Sequence, residues 1–129
     1  MRITKGIAVA GAAAVGLVSL AGAPANAAWT KTFDLHGAHA YACKISHGKT
    51  ATIRYRIDAR HSATWVSGGI DVETAKGKIL RSLDVRAKAH KKSKTRSIVV
   101  SKTAHLSTGI GDANGGMGGG IALSDIKRC

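Results

Sequence analysis

From Ala51 to Ala59 the chain alternates without a break: Ala51, Ile53, Tyr55, Ile57 and Ala59 fall on one side, and Thr52, Arg54, Arg56 and Asp58 on the other. Only a strand turns successive side chains to opposite faces with a period of two, so this stretch predicts a half-buried antiparallel strand. The same period recurs in Phe33 and Leu35, in Tyr41, Cys43 and Ile45, in Leu83, Val85, Ala87 and Ala89, and in Ile121 and Leu123. Each set is expected on an inward face. Ile98-Val99-Val100 is a β-branched run suited to an inner strand.

After Gly69 a further strand is expected, with Ile70, Val72 and Thr74 facing one way and Asp71 and Glu73 the other. Ala75-Lys76-Gly77 then reads as a three-residue hairpin loop with Gly77 at positive φ. That register puts Val72 opposite Leu80 and Asp71 opposite Arg81, and keeping Leu83 and Val85 inward as well requires a bulge near Ser82. No window has competing helical periodicity.

The amino terminus is of another kind. Arg2 and Lys5 precede a run from Gly6 to Gly22 of Gly, Ala, Val, Leu and Ile broken only by Ser19, and no acidic residue occurs before Asp34. A proline break at Pro24 and the small residues Ala25-Asn26-Ala27 complete the pattern of a removable signal peptide over residues 1–27, cleaved after Ala27 or, second, Ala28. There is no Arg-Arg pair for the twin-arginine route, and Ala23 stands where a lipoprotein would need Cys. No later stretch is apolar for long enough to span a bilayer, so residues 28–129 are expected to form a single secreted β-domain.

No proline follows Pro24 and no linker divides these residues, whose number suits one core. About seven or eight short strands with turn signals between them favour an all-β fold, a small antiparallel β-sandwich, with a small closed β-barrel as the alternative. Only Cys43 and Cys129 are present, and an even count in an exported chain predicts a disulfide between them.

Charge is the strongest functional signal. The formal net charge is +13, and +11 once Arg2 and Lys5 leave with the leader. Arg86, Lys88, Lys91, Lys92, Lys94 and Arg96 crowd into one short segment with His90 among them, between two expected strands. This is expected to be a protruding basic loop that contacts a polyanion such as an anionic cell-envelope polymer, a membrane surface, extracellular nucleic acid or an acidic protein.

Other constellations offer less. The segment from Gly109 to Gly120 lacks the Lys and Ser/Thr spacing of a phosphate loop and the ligand set of a calcium loop, and reads as a long flexible hairpin loop with a turn at Asn114-Gly115. His36, His39 and His47 are close in sequence, but i and i+3 on a strand point apart, so no metal site or cofactor is expected. There is no Gly-x-Ser-x-Gly elbow, and Asp71 and Glu73 are better explained by salt bridges to Arg81 and its neighbours than as an acid pair. Trp65 is expected in the core and Trp29 at an exposed end.

The sequence therefore predicts a secreted, monomeric, non-enzymatic basic domain that binds an anionic polymer, an envelope surface or an acidic protein, without sequence-specific nucleic-acid recognition. The alternative is a secreted inhibitor or toxin-like protein that presents a rigid loop to another protein.

Overall fold

The structure is a computed structural model that describes residues 29–129; the leader and its cleavage positions Ala27 and Ala28 lie outside the described residues. Eight strands follow one another: β1 (Thr30–Leu35), β2 (Ala38–His47), β3 (Thr50–Asp58), β4 (Val66–Glu73), β5 (Ile79–Ala87), β6 (Arg96–Ser101), β7 (His105–Asp112) and β8 (Gly115–Ile121). A single 3-10 turn, Leu123–Asp125, comes after them. Among the described residues no helix is long and apolar enough to cross a membrane.

The strands form two antiparallel four-stranded sheets, ordered β1-β2-β3-β6 and β5-β4-β7-β8. The expected β-sandwich is therefore the fold, and the alternative of a closed barrel falls away. The chain runs β1 to β3 as a meander, crosses to the second sheet for the β4–β5 hairpin, returns for β6 and crosses again for β7–β8. The basic segment makes the return crossing.

β3 sits inside its sheet, between β2 and β6, and its alternation is realised in full: Ala51, Ile53, Tyr55, Ile57 and Ala59 are fully buried. Burial of an isoleucine side chain contributes about 2 to 3 kcal/mol, so this one face anchors the core. From the second sheet Val66, Ile70, Val72, Leu83, Val85, Leu106 and Ile110 close over it.

Several expectations are corrected. In β2 the inward residues are Ala38, Ala40 and Ala42, while Tyr41 is half-buried and Ile45 is exposed. Ala40 pairs with Ile57 and Ala42 with Tyr55, so the large side chains of β3 fill the interior and leave room only for methyl groups beside them. Cys43, expected inward by strand period, shares the phase of Tyr41 yet is buried, because the segment Lys127–Cys129 lies beside it. Lys44 donates to the Lys127 carbonyl at 2.9 Å and accepts from the Cys129 amide at 2.9 Å, where β1 no longer covers the edge of β2. This brings the sulfurs of Cys43 and Cys129 together in the expected disulfide, with the Cα atoms 4.9 Å apart.

Ile98-Val99-Val100 is not an inner strand. β6 pairs only with β3, at the sheet edge, and Val99 is exposed. The β4–β5 hairpin has Gly77 at φ +87° as expected, but Val72 pairs with Arg81 and Glu73 with Ile79, so the bulge lies at Leu80 rather than near Ser82. Ile70 then faces Leu83 directly and the inward set stays in phase. Leu123 lies in the 3-10 turn, not on a strand.

The glycine-rich segment is also more ordered than expected. Gly109 pairs with Gly118 and Gly111 with Gly116 across a tight turn at Ala113–Asn114, so the supposed loop is most of the β7–β8 hairpin.

Candidate basic cleft

The segment between β5 and β6 does not protrude; backbone bonds dock it on the end of β3. The Ala59 amide donates to the Lys91 carbonyl at 2.9 Å, and the Ser93 amide to the Ile57 carbonyl at 2.8 Å. Ser93 Oγ in turn accepts from the Ile57 amide at 2.8 Å, and the His90 amide donates to the carbonyl of buried Ser62 at 3.2 Å. His90 takes φ +63°, a conformation uncommon for a side-chain-bearing residue and here held by its neighbours. The ladder between β3 and β6 ends at Tyr55 and Arg96, so the backbone groups of Ile57 and Ala59 beyond it lie open in the plane of the sheet and anchor the crossing strap.

Docked in this way, Arg86, Lys88, Lys91, Lys92, Lys94 and Arg96 all line one cleft of about 900 Å³. All six are exposed. Ser67, Gly68 and Val85 form its floor, and Asp84 is the one acidic residue in the lining. Two of the six have structural partners: Arg96 Nη1 donates to the Asp84 carbonyl at 2.7 Å, tying the edge of one sheet to the other, and the Arg86 guanidinium lies 4.5 Å from the centre of the Trp65 ring. The ion pairs among the described residues are made by Lys31, His36, His39 and Arg60 with aspartates elsewhere, and none involves the four cleft lysines. Four ammonium groups thus face one space with little to neutralise them, a concentration of positive potential that attracts anions.

Trp65 is not in the core as expected but 40% exposed, under Arg86 at the cleft rim. Sequence reading also missed a second cluster on the outer face of the first sheet. There Arg56 lies 4.3 Å from the centre of the Trp29 ring and 5.5 Å from that of Tyr41, and Arg54 is 5.8 Å from Trp29. Arg54, Arg56 and Tyr41 share this face because β2 and β3 both turn their inward residues away from it; Tyr41 pairs directly with Arg56. The alternation around Arg54 and Arg56 was visible in the sequence, but the approach of Trp29 was not. A cavity of about 240 Å³ opens beside this cluster, and Lys92 lines both it and the basic cleft. Asp58, also in the smaller cavity, is engaged by Arg60 at 2.8 Å, and this hydrogen-bonded guanidinium holds the carboxyl down at about 2.

The remaining candidates are dispersed. Asp71 accepts from the Ser82 hydroxyl at 2.6 Å and Glu73 from Ser107 at 2.5 Å, so neither makes the expected salt bridge to Arg81, whose guanidinium instead donates to the Val99 carbonyl. His36 bonds Asp112 and His39 bonds Asp34, and among the described residues no group of three or more His, Cys, Asp or Glu side chains could hold a metal ion.

Comparison with known protein families, curated proteins and solved structures finds no match for this chain.

Proposed function

We propose that this protein is a secreted, non-enzymatic β-sandwich that binds an anionic polymer in the cleft between β5 and β6. The observation that carries the reading is the convergence of Arg86, Lys88, Lys91, Lys92, Lys94 and Arg96 on one docked, shape-holding concavity. A strap bonded to β3 presents its cations in a set arrangement, so less conformational freedom is lost on binding than with a free loop. Secretion is supported by the leader-like residues 1–27 and by the disulfide, a bond that persists in oxidising compartments.

The test uses duplex DNA as a polyanion of known charge spacing. Each phosphate neutralised contributes about −0.9 to the slope of log affinity against log salt. Replacing Lys91, Lys92 and Lys94 together by Gln should remove up to about 3 units of that slope and weaken binding at low salt, with an unchanged circular dichroism spectrum. Equal affinity and equal salt dependence in the triple variant would show that the basic segment serves solubility only.

A further inference from the structure

We propose that the polymer this protein takes is single-stranded nucleic acid, with phosphates on the cleft lysines and unpaired bases stacked at two arginine-backed tryptophans, Trp65 and Trp29. The inference rests on the polyanion reading above and names its ligand class.

A cleft built only to hold negative charge needs no aromatic surface beside it, yet this one has two. At one rim Trp65 is 40% exposed with the Arg86 guanidinium 4.5 Å from its centre, and Arg86 is itself part of the cleft wall. On the other side, across Lys92, lies the smaller cavity, lined by Trp29, Tyr41 and Arg56. The positive groove and the aromatic planes are therefore contiguous through shared residues: Trp65 to Arg86, the lysines to Lys92, and Lys92 to the Trp29 cluster. A guanidinium over an indole holds the ring in place by cation–π attraction, and the exposed part of the ring remains available to a further planar group.

Interleaved cations and aromatic planes match a polymer that alternates phosphates with flat rings. Proteins that hold single strands without reading sequence combine a positive groove along the backbone with aromatic side chains on which bases stack. In a duplex the bases are stacked on one another and paired, so side-chain planes at a groove rim reach only unpaired ones. An acidic polysaccharide would also meet the cations, but sugar hydroxyls call for acceptors along the path. Among the described residues the carboxylates along it are only Asp84, in the cleft, and Asp58, which Arg60 engages, so cations and aromatic planes far outnumber acceptors.

Trp29 and Trp65 are the only tryptophans in the chain, so intrinsic fluorescence reports the proposed contact directly. The purified protein would be titrated with oligothymidylate, an abasic deoxyribose-phosphate oligomer of equal length, polyphosphate, duplex DNA and hyaluronate. Oligothymidylate should quench the tryptophan emission and bind more tightly than the abasic oligomer and polyphosphate, neither of which should quench. Trp65→Ala and Trp29→Ala should each weaken oligothymidylate binding by roughly 5- to 150-fold, the range that stacking of a base on an aromatic ring commonly supplies. Trp→Phe at either position should recover part of the loss, and polyphosphate binding should be unchanged in all four variants. Equal binding of oligothymidylate, abasic oligomer and polyphosphate without quenching would overturn this inference and leave the polyanion reading intact. Equal quenching by duplex DNA or by hyaluronate would overturn it in favour of those ligands. Failure of every polymer to bind would remove both readings.

Discussion

The hydroxyl of Tyr55, fully buried in β3, donates a hydrogen bond across the sandwich to the backbone carbonyl of Gly109 in β7, 3.2 Å away. One polar atom is thus carried through the core from the first sheet to the second. Gly68 makes the passage: a Cβ at that position would lie 2.9 Å from the Tyr55 oxygen and 2.5 Å from the Gly109 oxygen. Tyrosine and glycine are a matched pair on facing sheets.

Two substitutions separate the bond from the space around it. Tyr55→Phe deletes the hydroxyl and should cost about 1 kcal/mol, the usual net value of an intramolecular hydrogen bond. Gly68→Ala forces side chain or backbone to move and should cost roughly 1 to 3 kcal/mol, as overpacking does. Urea denaturation reads both, and a neutral Gly68→Ala would mean the two sheets are not this close. Burial also pushes the Tyr55 phenol above its ordinary value. As pH rises past about 10 the unfolded chain loses its phenol proton first, so stability falls there. Ultraviolet titration should show one of the two tyrosines ionising late, a step absent from Tyr55→Phe.

Acid should act through Asp58 and Asp112. Arg60 holds Asp58 down at about 2, by two side-chain bonds from Nε and one from Nη2. Asp112 is held below the usual carboxylate range by His36 Nδ1 at 2.7 Å and the Asn114 amide at 2.8 Å. Both folded values are depressed, so the stability these groups contribute is complete above about pH 4 and is lost as pH falls through the folded values. The urea midpoint should therefore drop between pH 5 and pH 2, and less steeply in Asp112→Asn. A flat midpoint over that range would show that neither carboxylate is better held in the fold than in the unfolded chain.

The bond between Cys43 and Cys129 joins residues 86 positions apart. On the chain-entropy account a loop of that length contributes about 4 to 5 kcal/mol, with measured cases often lower. Cys129→Ser should lower the unfolding midpoint while the strand signal in circular dichroism persists, because the two sheets close without the segment that carries Cys129. An unchanged midpoint would mean that the backbone bonds of Lys44 to Lys127 and Cys129 hold this segment equally well alone.

Much of the fold is legible in the alternation of β3, since a strand between two neighbours with one face buried must show period two. The phase of β2 is not. Both of its faces carry apolar groups, Ala38, Ala40 and Ala42 on one and Tyr41 and Ile45 on the other, and periodicity cannot rank them. The volumes of Ile57 and Tyr55 decide, by leaving space for methyl groups only. Likewise the edge position of β6, and with it the exposure of Val99, follows from which strand β6 meets after crossing.

At the candidate site the residues are given by sequence and their arrangement is not. Six cations in one segment between two strands are plain in the primary structure, and so is the even pair of cysteines. Whether the segment swings free or docks depends on the backbone groups of Ile57 and Ala59 at the end of β3, which are open because β6 stops pairing with β3 at Tyr55. Trp65 and Trp29 meet Arg86 and Arg56 across separations that no local pattern encodes. The chain alone determines period, charge and cysteine pairing, because these are properties of neighbouring residues or of counts. The tertiary structure decides phase, edge and cleft, because these depend on which distant side chain occupies the space opposite.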